Sequence, residues 1–210
     1  MSEREQLFDN WANDYDRSVQ ETDGFPFAGY EEILNSIVRE SAVRAGDRIL
    51  DLGVGTGALA GRFVELGCEV WGLDFSERML ERARARFPGA RFLKADLLDA
   101  WPGELPDRFV AVVSGYVLHE FGTPDKLKVV KHALERLSPG AQLVVGDIAF
   151  RTRALHDAAQ AQWANAWDAE EAYWVWEELE PQLREVAARR QFSAYSFCGG
   201  VMTFLRQEAE

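Results

Sequence analysis

Ile49-Leu50-Asp51-Leu52-Gly53-Val54-Gly55-Thr56-Gly57 is the stretch that decides how this chain is read. A short apolar run ends on an acid, passes through alternating glycines and enters a helix near Ala58. Glycine permits the left-handed backbone of a tight turn and leaves space for a ligand to approach it. The first N–H groups of the following helix are unpaired and point into that space. A strand, a turn and a helix joined in this way begin a βαβ unit, and the ligand held at the turn is the first functional question.

Working outward, the pattern repeats. A strand Arg48–Leu52 leads into a helix at about 57–66 that stops at Gly67, and a strand Glu69–Leu73 then ends at Asp74. Ser76 has the character of a cap for the next helix, and strand Arg91–Ala95 ends at Asp96. Strand Phe109–Ser114, a helix at about 123–137 and strand Gln142–Asp147 complete the run. Strands alternating with helices predict a parallel sheet covered on both faces. Before it, helices are expected over 3–20 and 28–44, broken at Asp23-Gly24-Phe25-Pro26.

After it, residues 151–190 read as a mostly helical, aromatic insert, and Phe192–Phe197 with Val201–Arg206 read as a hairpin through Gly199-Gly200. The expectation is one domain over 1–210, divided into an N-terminal helical lid (1–44), a cofactor-binding core (45–150), a helical cap (151–190) and the terminal hairpin (191–210).

Composition narrows the ligand. Lys+Arg number 23 against 35 Asp+Glu, a net charge of −12. Phosphate surfaces are bound mainly by Lys and Arg, so neither nucleic acid nor an anionic membrane is expected as a partner. The N-terminus lacks a signal-peptide core and no run is long enough to span a membrane, and the expected location is cytoplasmic. Cys68 and Cys198 lie far apart in apolar stretches and read as buried thiols, and no metal site is expected.

In an open parallel sheet, ligands bind at the carboxyl ends of the strands. Asp51, Asp74, Asp96, Ser114 and Asp147 all fall at or just past such ends. Several acids around one crevice suit a cation or a polyol. Asp74 follows Gly53 by about twenty positions, where a carboxylate can accept from both ribose hydroxyls, and Asp96 can accept from an exocyclic amine such as adenine N6. Gly53-x-Gly55-x-x-Ala58 also fits a dinucleotide fingerprint. A pyrophosphate over the turn, however, would meet Asp51 as uncompensated negative charge. S-adenosylmethionine instead brings an ammonium and a sulfonium to that place, and carboxylates favour both.

These residues resemble a known family. Asp51-Leu52-Gly53-Val54-Gly55-Thr56-Gly57, Asp74 and Asp96 look like the first three motifs of the class I S-adenosylmethionine-dependent methyltransferases. Val112-Val113-Ser114-Gly115-Tyr116-Val117-Leu118-His119-Glu120-Phe121 resembles their fourth-strand motif, and Leu137-Ser138-Pro139-Gly140-Ala141-Gln142-Leu143 the turn into their fifth strand. Leu7–Asp16 and Gly29–Leu34 are similar to a subgroup of small, largely uncharacterised bacterial methyltransferases. The resemblance implies a Rossmann-like doubly wound α/β sheet of order 3-2-1-4-5-7-6 with an antiparallel C-terminal strand, a helical insert between strands 5 and 6, and S-adenosylmethionine as cofactor.

On that reading Gly53 and Gly55 contact the methionine part of the cofactor, Asp74 the ribose, Phe75 the adenine face, and Asp96 with Leu97 the adenine edge. Backbone carbonyls of Ser114 and Tyr116 face the ammonium, and Trp11 and Tyr15 close over the site. His119 is the candidate base for an acceptor that must lose a proton. Trp163, Trp167, Tyr173 and Trp176 are candidates for an acceptor pocket, and the acceptor is expected to be a small molecule. The residues leave the oligomeric state unread and two other readings open: a non-catalytic binder of the same cofactor, and an NAD-dependent dehydrogenase.

Overall fold

The computed structural model describes residues 24–206, so the expected first helix, with Trp11 and Tyr15, lies outside the described residues. Helix α1 is Tyr30–Glu40. The alternating core then runs β1 (Arg48–Leu52), α2 (Ala58–Glu65), β2 (Glu69–Asp74), α3 (Glu77–Arg86), β3 (Arg91–Lys94) and β4 (Phe109–Gly115). A short 3-10 turn at Leu118–Glu120 leads to α4 (Thr123–Glu135) and the long strand β5 (Leu137–Phe150). The insert holds α5 (Arg153–Gln162), the two-residue β6 (Trp174–Val175) and α6 (Trp176–Leu183), and β7 (Ala187–Ala194) and β8 (Gly199–Arg206) finish the chain.

The main sheet has the order β3-β2-β1-β4-β5-β8-β7, with β6 paired to β5 off this path. Strands β1 to β5 pair in parallel, and β8 runs antiparallel to both β5 and β7. The expected order differs by one strand. Trp174-Val175 pairs with Ala149-Phe150 at the end of β5 and takes the sixth number. Two residues are too few to show an alternation of their own, and it is the neighbouring strand that orders them. The hairpin also begins earlier than expected, at Ala187. Arg189 and Arg190 on this edge strand hide its periodicity, since an edge leaves alternate positions to solvent.

Burial on both faces explains the runs of consecutive apolar residues. Ile49, Val113 and Val144 pack under α1 and α2, whereas Leu50, Val112 and Val145 pack under α4 and α6. Ser76 caps α3 as expected, its Oγ accepting from Met79 N at 3.2 Å. Cys198 is buried, Cys68 is half-buried, and both are free thiols. Among the described residues no helix is long and apolar enough to cross a membrane.

Helix α1, within the stretch expected to act as a lid, covers the sheet through Ile33, Leu34 and Ile37, none more than 1% exposed. It reaches that closely because β5 has no side chain at Gly146. A Cβ there would stand 2.6 Å from both Ile33 Cγ2 and Ile37 Cδ1. Gly146→Ala should therefore overpack this face and cost about 1–3 kcal/mol. Thermal denaturation should show a melting temperature lower by several degrees; an unchanged value would mean that α1 yields freely.

Candidate active site

The glycine turn is fixed from two sides. Gly53 N and Val54 N donate to Leu73 O at 2.8 and 2.9 Å, tying the turn to the end of β2. From the same strand end, Asp74 Oδ2 accepts from Gly55 N at 2.9 Å, and its Oδ1 accepts from Ser76 N at 2.8 Å. Asp74 thus holds the turn and the start of α3 together, in addition to facing the cleft. Gly53 adopts φ +71°, and a Cβ on it would lie 2.4 Å from Val117 Cγ2. Here glycine is required both by conformation and by the chain leaving β4.

Above the carboxyl ends of β1, β2 and β4 lies an open cleft of about 990 Å³, solvent mouth included. That is at the upper end of volumes that take a small molecule. Asp51, Gly53, Gly55, Asp74, Phe75, Asp96, Leu97 and Tyr116 all line it, so most of the expected cofactor residues converge. Tyr30, Leu34, Met79, Val117, Glu120 and Phe121 line it as well and had not been singled out. Glu120 and Phe121 stood in the quoted fourth-strand stretch, but nothing in their spacing marked them. Tyr116 holds φ +56°, unusual for a bulky residue, and its N–H donates to Gly146 O at 2.8 Å. Asp96 is exposed and closes a local turn by accepting from Leu98 N at 2.9 Å.

Ser114 is fully buried, its Oγ donating to Leu52 O at 3.0 Å, and it stands beneath the cleft rather than on its wall. The four aromatic candidates do not gather at one cavity. Trp167 stacks on Phe25 at 5.0 Å and meets Tyr173 edge-on, Trp163 stacks on the exposed Phe197, and Trp176 packs on Phe192 on the opposite face of the sheet. Tyr173 also lines a second, smaller cleft with Arg153, His156 and Glu171.

Among the described residues, no Lys or Arg lines the cleft. Asp51 is 1% exposed, and its Oδ2 has no hydrogen-bond partner among the described residues. Burial, and then the Asp74 carboxylate, hold its pKa well above the usual carboxylate range, against a backbone hydrogen bond from Ala60. An orphaned, desolvated carboxylate oxygen at a strand end fits a cationic group and rejects a phosphate.

Behind Tyr116, His119 is buried. Its Nδ1 lies 2.6 Å from Asp147 Oδ1, and its N–H donates to Asp147 Oδ2 at 3.0 Å. Asp147 also accepts from Ile148 N at 2.8 Å and Trp174 Nε1 at 3.0 Å. Burial works against charge on His119, but Asp147, Glu171 and Glu120 together outweigh it, and its pKa is raised.

The comparisons with known proteins agree with this geometry. Residues 49–140 match the family model described as a methyltransferase domain. An uncharacterised methyltransferase of Geobacillus sp. (strain WCH70) is 36% identical over 151 residues, 70% of this chain and 68% of that protein. Another, from Oceanobacillus iheyensis, is 31% identical over 200 residues, 91% of this chain and 87% of its own length. The chain belongs to the class I S-adenosylmethionine-dependent methyltransferases. Its cofactor is S-adenosylmethionine, which sets the dinucleotide reading aside. Among solved structures, magnesium protoporphyrin IX methyltransferase from Synechocystis PCC 6803, with SAH bound, shares the fold at a TM-score of 0.71 and 17% identity, covering 97% of this chain and 98% of that one.

The raised pKa of Asp51 makes a stability prediction for the methyltransferase without ligand. A carboxyl whose folded pKa is raised penalises the fold above that pKa, and the penalty is relieved as pH falls toward the unfolded value. Asp51→Asn keeps an acceptor for Ala60 N and removes the charge. Its melting temperature should match or exceed the wild type at neutral pH, with the advantage shrinking as pH is lowered into the ordinary carboxylate range. A variant less stable at every pH would show that the charge is already compensated.

Proposed function

We propose that this methyltransferase acts on a small-molecule acceptor presented at the cleft above β1 and β4. The observation that supports the cofactor's placement is the orphaned Asp51 Oδ2, a buried carboxyl oxygen of a residue lining the same cleft as Asp74. When bound, S-adenosylmethionine supplies a methyl group on a sulfonium, and in-line attack by the acceptor leaves the neutral thioether. The chain's own work is to bind and orient.

Asp51 takes the ammonium end, with the backbone of Gly53, Gly55 and Tyr116 around the methionine part. Asp74, which also holds Gly55 N and Ser76 N, accepts from the ribose hydroxyls. Phe75 packs on the adenine face, and Asp96 with the backbone of Leu97 reads its edge. Ser114 serves as scaffold below the site, and Trp11 and Tyr15 remain proposed as the closing element.

Alignment with desolvation can supply much of the acceleration of a displacement. His119 is not carried forward as the base, because its ring is buried against Asp147 and does not line the cleft. The free thiols and the acidic surface accord with a cytoplasmic enzyme acting on metabolites and not on nucleic acid.

Asp74→Asn should lower affinity for S-adenosylhomocysteine about 10- to 100-fold in calorimetry, the effect of spoiling charged hydrogen bonds in a buried site. Unchanged affinity would remove Asp74 from the ribose. With methyl-labelled cofactor and a cell extract, label should pass into the small-molecule filtrate; label confined to precipitated protein or nucleic acid would overturn the acceptor class.

A further inference from the structure

His119, Glu120 and Glu171 bring three ligating atoms toward one point. His119 Nε2 lies 3.8 Å from Glu120 Oε1 and 3.7 Å from Glu171 Oε1, and the three ligand atoms all stand within 4.8 Å of one another. Ligands about 2.1 Å from a tetrahedral cation are about 3.4 Å apart. The observed separations exceed this by only a few tenths of an ångström for the imidazole pairs. They are too long for hydrogen bonds, and among the described residues Nε2 forms none.

The imidazole is 5% exposed and cannot turn away. Its Nδ1 is committed to Asp147, which is itself fixed by the N–H groups of His119 and Ile148 and by Trp174 Nε1. That relay leaves Nε2 aimed at the two glutamates. A carboxylate behind the ring is also the outer support that orients a ligating histidine and raises its basicity.

Charge points the same way. Three carboxylates, those of Asp147, Glu120 and Glu171, surround one imidazole. The nearby cation, Lys126, turns its Nζ to the carbonyls of Phe121 and Ala172.

We propose that His119 Nε2, Glu120 and Glu171 bind a divalent transition-metal ion, Mn²⁺ or Zn²⁺, where the main cleft meets the smaller one. Glu120 lines the first cleft and Glu171 the second, so the ion is reached from both. One imidazole with two carboxylates suits these ions better than Ca²⁺, which prefers oxygen donors alone. Three protein ligands leave coordination open to water or to an oxygen of the acceptor. The last role rests on the methyl-transfer reading; metal binding itself does not.

The test uses the whole protein, stripped with a chelator and without cofactor. Mn²⁺ should bind at one ion per chain by electron paramagnetic resonance, and Zn²⁺ should compete for the same site. Glu171→Gln and Glu120→Gln should each weaken binding tenfold or more, while Glu104→Gln, on an exposed loop, should leave it unchanged. Because His119→Ala removes a buried ring, Glu171→Gln is the decisive variant, its fold checked by circular dichroism. Absence of saturable binding, or binding unaffected by Glu171→Gln, overturns the site. Calorimetry with S-adenosylhomocysteine on the same samples reports the cofactor cleft separately, so either reading can fail alone.

Discussion

Folding this chain requires three carboxylates to be buried along one edge of the sheet. Asp51, Asp74 and Asp147 sit at or near the ends of β1, β2 and β5, none more than 7% exposed. Burying an ionised carboxylate costs several kcal/mol unless donors or cations replace its water. Each acid is treated differently, and the differences order the rest of the edge. Asp74 is satisfied by backbone N–H groups of the glycine turn and of α3, so its charge is also what shapes the turn. Asp147 collects donors from β5 itself, from the chain after β4 and from the insert. Asp51 is left one partner short.

That shortage is affordable because it is local. The hydrophobic layers on both faces of the sheet are continuous under it, and α1 is seated directly on β5 at Gly146. A carboxyl oxygen left without a donor in a rigid frame is a binding device, because a cation bound beside it stabilises the fold by the free energy of that contact. The turn, pinned to β2 at Leu73 and Asp74, keeps Asp51 and Asp74 from relaxing away from one another. The left-handed Tyr116 places a second rigid wall opposite, a costly backbone held by the hydrogen bond to Gly146 O.

Much of this was legible in the chain because the informative signals are local. β1 is bounded at Arg48 and Leu52 as its apolar run and glycines require, and Ser76 caps α3 through a bond only three residues away. Asp51, Asp74 and Asp96 were found because strand ends in a parallel sheet face one crevice. What escaped depends on contacts made across long separations. Asp147 meets His119 and Trp174 from 28 and 27 positions away, and Glu171 joins them only because the insert folds back along β5. Nothing in the run Glu170-Glu171-Ala172-Tyr173 distinguishes the acid that turns inward from the exposed one beside it. The tryptophans were misleading for a related reason. Trp176 and Trp167 belong to opposite faces of the sheet, a division that helical spacing inside an irregular insert does not reveal.

The same edge therefore carries two anionic poles separated by Tyr116. At the first, no Lys or Arg is among the described residues that line the cleft with Asp51 and Asp74, and the proposed placement sets the cofactor's ammonium and sulfonium there. At the second, Asp147 is neutralised only in part, because the imidazole it holds is shared with Glu120 and Glu171. Glu120 is the residue common to both, lining the cofactor cleft while reaching toward His119. An acceptor seated between the poles would meet apolar side chains such as Val117 and Phe121 on its flanks and concentrated negative charge at its end. On the proposed reading, such a site would favour an acceptor that brings a cation, or one whose oxygen binds the proposed metal, and would disfavour one that is itself an unscreened anion.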